Sequence, residues 1–429
     1  MRDFARSDDA AVQAQLHRLA ALSIPKGRLA LDTIRKLLER LGDPHLSLPP
    51  VFHVAGTNGK GSTCAFLRAM LEAEGKRVHI ATSPHLVRYN ERIRLAGKLI
   101  SDAALALLLE EVLDTGTDLN ASFFEVTIAA SFLAFSRTPA DACVIEVGLG
   151  GRFDATNVIE HPAACGIAAL GIDHERFLLA PEEGVPEIPL ARIAFEKAGI
   201  VKPGCSLITL SYPAEAELEI ERAAMAAGAP LAMRGRHWHS SIGESGLHYA
   251  DRHGDLALPL PSLTGAHQAE NAALAIAMLR HQDFVNVSRD AMARGLRTAN
   301  WPARLQRLVP GPLTGNREIW LDGGHNSNAG DMLARHFARQ RLHLVIGMIA
   351  GKDPAALVAP LAKSLASLTA VPVPGQDHHP ASAFGDAAKP ASDLSQALSE
   401  LPDDGLPVLI SGSLYLAGEV LRLNAELPD

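Results

Sequence analysis

An apolar block, Val51-Phe52-His53-Val54-Ala55, runs into Gly56-Thr57-Asn58-Gly59-Lys60-Gly61-Ser62. A short apolar run bounded by glycines predicts a buried strand entering a tight turn. STCAFLRAMLEAEG follows with helical apolar spacing and a glycine stop at Gly75. RVHIATS predicts a second strand, ALALLLEEVL and FFEVTIAASFLAF predict helices, and DACVIEVGLGG and AACGIAALGID predict further buried strands. Strands alternating with helices imply a mostly parallel sheet covered on both faces. Residues 234–260 alternate and carry turn residues, which predicts a small antiparallel excursion before HQAENAALAIAMLR resumes a helix. The Pro- and Gly-bearing stretch NWPARLQRLVPGPLTGN marks a boundary, placing domains at 1–300 and 301–429. Beyond it, REIWLDGG, LHLVIGMI, LTAVPV and PVLISGS predict strands of a smaller α/β domain. The polar, turn-rich residues 374–392 predict a mobile loop.

Composition narrows the classes. A chain of 429 residues exceeds what one hydrophobic core usually supports, in keeping with two domains. A net charge of −8 leaves no excess of Lys or Arg for a nucleic-acid surface, but a few local cations suffice for small anionic substrates. Cys64, Cys143, Cys165 and Cys205 form no CxxC pair and read as buried free thiols in a reducing compartment. MRDFARSDDAAVQAQ has no apolar signal core and no apolar run reaches spanning length, so the expected setting is cytoplasmic, with no membrane partner.

The strand–turn–helix around Gly56–Ser62 is the strongest chemical signal. Glycines let the backbone fold around phosphates, turn N–H groups and the helix N-terminus point at them, and Lys60 neutralises the outer oxygens. The strict Walker pattern is not met. Val54 stands where that pattern has glycine, and Gly61 replaces the hydroxyl residue after the lysine. A magnesium-ligating hydroxyl must then come from elsewhere, with Ser62 and Ser83 as candidates. Glu146 interrupts an apolar strand, where a carboxylate needs a metal or a buried cation as partner. Asp173-His174 ends the next strand; alone, His174 reads as a loop histidine. Lys197 reads as a solvated helix lysine near Gly199. Asp322-Gly323-Gly324-His325-Asn326 follows a strand and precedes a helix, either as a ligand-binding edge or as a turn with an Asn N-cap. Two such edges on two domains suggest a cleft over a substrate.

Taken together, AGTNGKGS (55–62), TSPHLVRYNERI (82–93), FFEV (123–126), IEVGLGGRFDATNV (145–158), DHERFL (173–178), EKAGI (196–200), HQAENAALA (267–275), PARLQ (302–306), DGGHN (322–326), GMIAGKD (347–353) and SGSLYL (411–416) resemble the folylpolyglutamate synthase/dihydrofolate synthase family of ATP-dependent Mur-type ligases. The resemblance implies a P-loop Mur-ligase-like ATPase domain with a mostly parallel sheet, followed by a smaller Rossmann-like α/β domain. It implies that Thr57, Asn58, Gly59, Lys60, Gly61 and Ser62 hold the ATP phosphates. Asn271, Arg304, Asp322 and His325 would contact the nucleotide, with Asn326 beside them, while Ser83, Glu146 and His174 would ligate Mg²⁺. Phe124, Glu125, Asp154 and Ala155 fall around the pterin, and Lys197 at the lysine the family carries as a carbamate. Lys60, His174 and Lys197 are the implied catalytic residues. LSIPKGRL (22–29) stands at the N-terminal pterin loop, with no contacts assigned. The implied activity is addition of L-glutamate to dihydropteroate, to reduced folates, or to both, through an acyl phosphate, by a monomer with small-molecule partners only. Three features depart from the family pattern: Gly324 and Ser327 replace the usual Ala and Pro after Asp-Gly, and the stretch between His174 and Lys197 is longer and proline-rich.

Overall fold

The computed structural model describes residues 6–22, 30–244 and 246–428. The segment matched to the pterin loop lies, from residue 23 on, outside the described residues. The chain divides into two compact units. One comprises Met1–Pro84, Arg88–Ser262 and Ala266–Asn300; the other comprises His85–Val87, Leu263–Gly265 and Trp301–Asp429.

Eight strands of the first unit form one sheet. Numbered in chain order they are β1 (Val51–Ala55), β2 (Val78–Ala81), β3 (Ile93–Leu95), β4 (Lys98–Leu99), β5 (Ala142–Glu146), β6 (Ala164–Ile167), β7 (Ser206–Thr209) and β8 (Leu231–Met233). Their spatial order is β4-β3-β2-β5-β1-β6-β7-β8. All neighbours from β2 to β8 in that order are parallel, while β3 and β4 form an antiparallel edge. Every residue of β1, β2, β5 and β6 is buried, as expected of parallel strands covered on both faces. Register places Val54 opposite Glu146 on one side of β1 and Gly166 on the other. The glycine-rich turn therefore leaves the sheet beside the carboxylate that ends β5.

Helices Lys60–Ala73 and Ala266–Arg280 present few polar side chains on any face because both lie inside the unit. Close approach requires small residues at two points. A Cβ on Gly166 would come within 2.3 Å of Met278 Sδ, so the second helix rests directly on β6. A Cβ on Gly295, in helix Arg289–Thr298, would come within 2.6 Å of the Met70 backbone. The predicted antiparallel excursion is a three-stranded sheet of β9 (Trp238–Gly243), β10 (Gly246–Asp251) and β11 (Gly254–Leu258). It is anchored by the fully buried Trp238, which stacks on Tyr249 and donates its indole N–H to Ala232 O at 3.1 Å.

The second unit holds β12 (Gln306–Arg307), β13 (Ile319–Leu321), β14 (Leu342–Ile346), β15 (Leu365–Ala370), β16 (Ala388–Pro390) and β17 (Val408–Ser411). Their order is β12-β13-β17-β14-β15-β16, parallel apart from β12. Two expectations change here. Residues 374–392 are not a plain loop: they contain the 3₁₀ turn Ala381–Phe384 and the edge strand β16, which pairs with β15. A three-residue strand ending in proline carries no periodic signal, and only the neighbouring edge makes it a strand. β15 also begins three residues before LTAVPV, because its half-exposed first half pairs with β14.

Gly295→Ala tests the close helix approach. Because the added methyl meets backbone rather than a movable side-chain tip, we expect a loss of roughly 2–3 kcal/mol. It should appear in chemical denaturation as a lower midpoint with an unchanged slope.

Candidate active site

The turn between β1 and its helix depends on Gly59. Gly59 is the helix N-cap at φ 83°, a left-handed conformation that favours glycine. It also admits a neighbour: a Cβ there would lie 2.3 Å from Asn271 Oδ1. Asn271 is buried and steadied by donating to Gln268 Oε1 at 3.1 Å, so it belongs to the wall of the phosphate loop. The Thr57 and Asn58 N–H groups both donate to Ala169 O, at 2.8 and 3.1 Å, and the Thr57 hydroxyl donates to Gly171 O at 2.8 Å. The segment after β6 thus fixes the loop's shape. Ser62 is buried in the first turn of the helix.

Two lysines meet at this loop. Lys60, the first helical residue, donates to Gly56 O at 3.1 Å. Lys197 donates to the same oxygen at 2.9 Å from helix Pro189–Ala198. The solvated-lysine reading of Lys197 is wrong, since its relative exposure is 4%. Burial lowers its pKa to about 7, and the nearby charge of Lys60 pushes the same way.

Glu146 is buried and accepts the Ser83 N–H on Oε2 at 3.1 Å, which brings the ends of β2 and β5 together. His174 is exposed. It occupies a left-handed conformation at the start of helix Glu175–Leu178, with its N–H donated to Asp173 Oδ1 at 2.7 Å. Among the described residues no group of three or more His, Cys, Asp or Glu side chains is gathered as a metal cage. One carboxylate beside one hydroxyl residue still suits Mg²⁺, which prefers oxygen donors and fills its shell with phosphate oxygens and water.

Sequence reasoning missed a charged cluster beside Lys197. Arg152 reaches Glu182 at 3.0 and 2.6 Å and Glu196 at 3.2 and 2.7 Å. Arg192 contacts the same two carboxylates at 2.8 and 3.1 Å. Through Glu182 the long proline-rich stretch is tied to the Gly148–Arg152 turn. The available signal was Arg192 and Glu196 four residues apart on a helix whose only other charged residue is Lys197.

The residues matched to the pterin site have structural work of their own. The Phe124 ring covers Gly148, where a Cβ would lie 2.3 Å from its tip. Glu125 closes a capping box, its Oε2 accepting the Ser122 N–H and hydroxyl at 2.8 and 2.7 Å. Asp154 is buried beneath the turn and accepts the Leu149 N–H at 2.8 Å, the Thr156 N–H at 3.0 Å and the Thr156 hydroxyl at 2.5 Å. Burial raises its pKa against those bonds. Ala155 follows, also buried.

In the second unit, Asp322 is buried at the end of β13. Its Oδ2 accepts the Leu305 N–H at 2.8 Å and its Oδ1 the Gly324 N–H at 2.7 Å. Ala303 and Leu305, on either side of Arg304, hold φ of 57° and 45°, conformations non-glycine residues seldom adopt. Asp322 therefore stabilises the backbone that presents Arg304, whose Nη1 donates to Ala303 O at 2.9 Å. His325 Nδ1 lies 3.1 Å from Gly323 O, and Asn326 caps helix Ser327–His336 by accepting the Ala329 N–H at 3.1 Å. Gly324 suits this turn: a Cβ there would lie 2.5 Å from the Ala329 Cβ.

No family model matches the chain. Curated relatives do. It is 32% identical over 430 residues to the dihydrofolate synthase/folylpolyglutamate synthase of Bacillus subtilis, covering 91% of this chain and 94% of the relative. The chain belongs to the folylpolyglutamate synthase/dihydrofolate synthase family. It is also 33% identical to a probable bifunctional folylpolyglutamate synthase/dihydropteroate synthase of Halobacterium salinarum, over 90% of this chain but only 48% of that longer protein. A solved E. coli FolC in complex with DHPP and ADP superposes with a TM-score of 0.85 at 30% identity, covering 96% of this chain and 97% of the other. A Yersinia pestis bifunctional folylpolyglutamate synthase/dihydrofolate synthase complexed with AMPPNP and Mn ion gives 0.83 at 29%, with the same coverage. The expected architecture, a larger mostly parallel α/β unit and a smaller one, is that of this ligase family.

If Asp322 acts on the backbone as described, Asp322→Asn loses stability without any nucleotide present. Replacing an accepting oxygen with an amide leaves one N–H unpaired, costing roughly 1–3 kcal/mol. Thermal unfolding of the ligand-free protein checks this; an unchanged midpoint would leave Asp322 with a ligand role only.

Proposed function

We propose that the chain is an ATP-dependent ligase that joins L-glutamate to the carboxylate of dihydropteroate, of a reduced folate, or of both. The observation that carries this reading is the meeting of Lys60 and Lys197 on the Gly56 carbonyl, beside Glu146 and Ser83. The Lys60 ammonium at the start of its helix makes a site that favours anions, and the buried Lys197 amine lies at the same carbonyl oxygen. Relatives whose structures hold ADP with DHPP, or Mn with AMPPNP, supply the matching ligand classes.

A carboxylate is a poor electrophile, so the γ-phosphoryl group of ATP is first transferred to it. Lys60 and the N-terminus of its helix stabilise the charge that develops on the transferring group. The Thr57–Ser62 backbone orients the phosphates. The amine of glutamate then attacks the acyl phosphate, phosphate leaves, and an amide remains. Ser83, Glu146 and His174 would hold Mg²⁺, which when bound neutralises phosphate charge. Asn271, Arg304 and His325 would contact the nucleotide, and Phe124, Glu125, Asp154 and Ala155 would shape the pterin pocket. In this reading residues 1–300 bind ATP and folate and residues 301–429 complete the glutamate-ligase function, in a cytoplasmic monomer that binds neither nucleic acid nor membrane. Among the described residues no helix is long and apolar enough to cross a membrane.

Lys197 would act as a carbamate. Its amine is buried, near another cation, and titrates near neutrality, so an uncharged nucleophile is available to carbon dioxide. The product is an anionic oxygen donor of the kind Mg²⁺ favours.

Incubation with ATP, L-glutamate and either dihydropteroate or tetrahydrofolate, followed by mass analysis, should show one added glutamate on at least one acceptor. Lys60→Ala should lower that rate by ~10²–10³ with its melting curve intact; near-normal turnover would sink the phosphate-loop reading. For Lys197 the sign follows from the neutral amine. Addition of carbon dioxide to the neutral amine releases a proton, so at fixed carbon dioxide pressure activity limited by carbamate should rise as pH increases through about 7 and go on rising until the carbamate is saturated. Lys197→Ala should lose most activity and recover part of it with added acetate. A fully active variant would exclude the carbamate as a requirement.

A further inference from the structure

Two of the four cysteines lie together at neighbouring strands. Cys165 is the second residue of β6, and Cys205 immediately precedes β7, the neighbouring parallel strand. Their sulfurs are 3.6 Å apart although the residues are 40 apart in sequence. We propose that Cys165 and Cys205 are a reversible dithiol–disulfide pair, a modification site whose co-reactant is a hydroperoxide. The pair carries this inference independently of the ligase reading.

The two thiols are not equivalent. Cys165 is wholly buried in the sheet, with its Sγ directed at Ile200 O at 3.4 Å. Cys205 is 6% exposed and follows the turn Lys202-Pro203-Gly204, whose last two residues are exposed. Contact with the Cys165 thiol, together with the Lys202 charge, holds the Cys205 pKa below the ordinary thiol value despite its burial, while burial drives Cys64 and Cys143 well up. Cys205 is therefore the thiol that a small oxidant reaches first.

The Cys205 thiolate attacks one peroxide oxygen and the O–O bond breaks. The departing hydroxide takes the thiol's proton and leaves as water, giving Cys205 sulfenic acid. The Cys165 sulfur then attacks the Cys205 sulfur, the S–O bond breaks, and the hydroxyl departs with the Cys165 proton as a second water. Two thiols are oxidised to one disulfide while one hydrogen peroxide is reduced to two waters, and an external dithiol reverses the reaction.

The bridge would join the two ends of the segment 165–205. That segment carries His174, Glu182, Glu196 and Lys197, and its outer part includes the exposed Glu183 and Glu187. The disulfide thus encloses in one covalent ring the stretch that holds two of the proposed catalytic residues.

The test treats the folded full-length protein with a modest excess of hydrogen peroxide. We expect titratable thiols to fall from four to two with a mass loss of two hydrogens, both restored by dithiothreitol. Peptide mapping should place the bridge at Cys165–Cys205. Cleavage at Glu183 or Glu187 by a Glu-specific protease should leave the fragments joined on a denaturing gel unless it is reduced. The bridge should persist in Cys64→Ala/Cys143→Ala and vanish in Cys205→Ala; mapping of the wild-type chain decides the matter even if a variant fails to fold. Retention of four thiols, oxygen adducts without a bridge, or a bridge at other cysteines would overturn the proposal.

Discussion

The first unit depends on how one carbonyl, that of Gly56, is satisfied. It sits just past β1, one of the two central strands, and both Lys60 and Lys197 donate to it, at 3.1 and 2.9 Å. Burial strips the Lys197 amine of hydration and the nearby Lys60 charge repels its cationic form, which is why it titrates near 7 rather than above 10. Much of the surrounding structure serves to bring the amines there: β1 carries the loop, the Arg152–Glu182–Arg192–Glu196 cluster fixes the helix bearing Lys197, and Ala169 holds the backbone of Thr57 and Asn58.

Three acidic residues that the family resemblance placed against ligands bond backbone or hydroxyl groups here. Glu125 caps its helix, Asp154 holds Leu149 and Thr156, and Asp322 holds Leu305 and Gly324. The shared physics is that a turn leaves N–H groups without secondary-structure partners, and a carboxylate is a compact acceptor for them. The strained residues beside Arg304 are held in this way, with Asp322 accepting the Leu305 N–H.

Glycines set how closely these pieces approach. At Gly59 the absent Cβ makes room for Asn271, at Gly148 for Phe124, and at Gly151 for the backbone at Glu196 and Lys197. Gly324 is matched to Ala329 in the same sense, so the departure from the family's usual Asp-Gly-Ala turn has a local steric reason in this chain.

The sequence by itself determined the alternation of buried strands and helices, the antiparallel excursion after residue 234 and the phosphate loop, because each is written in local spacing: apolar runs, helical periodicity, and glycines flanking Lys60. It also led to the family, since motifs such as GLGGRFDATN persist as contiguous strings. Tertiary structure decided what depends on partners far along the chain. Lys197 reads as a surface lysine in its helix and is buried only because that helix packs beside a loop 141 residues earlier. β16 exists only because β15 offers an edge. The Arg152–Glu182 pair spans an insertion that no local rule joins, and the contact of Cys165 with Cys205 follows from two strands being neighbours in a sheet. Burial and pairing at such distances are properties of the packed chain, because local sequence fixes which groups a segment carries but not which groups will face them.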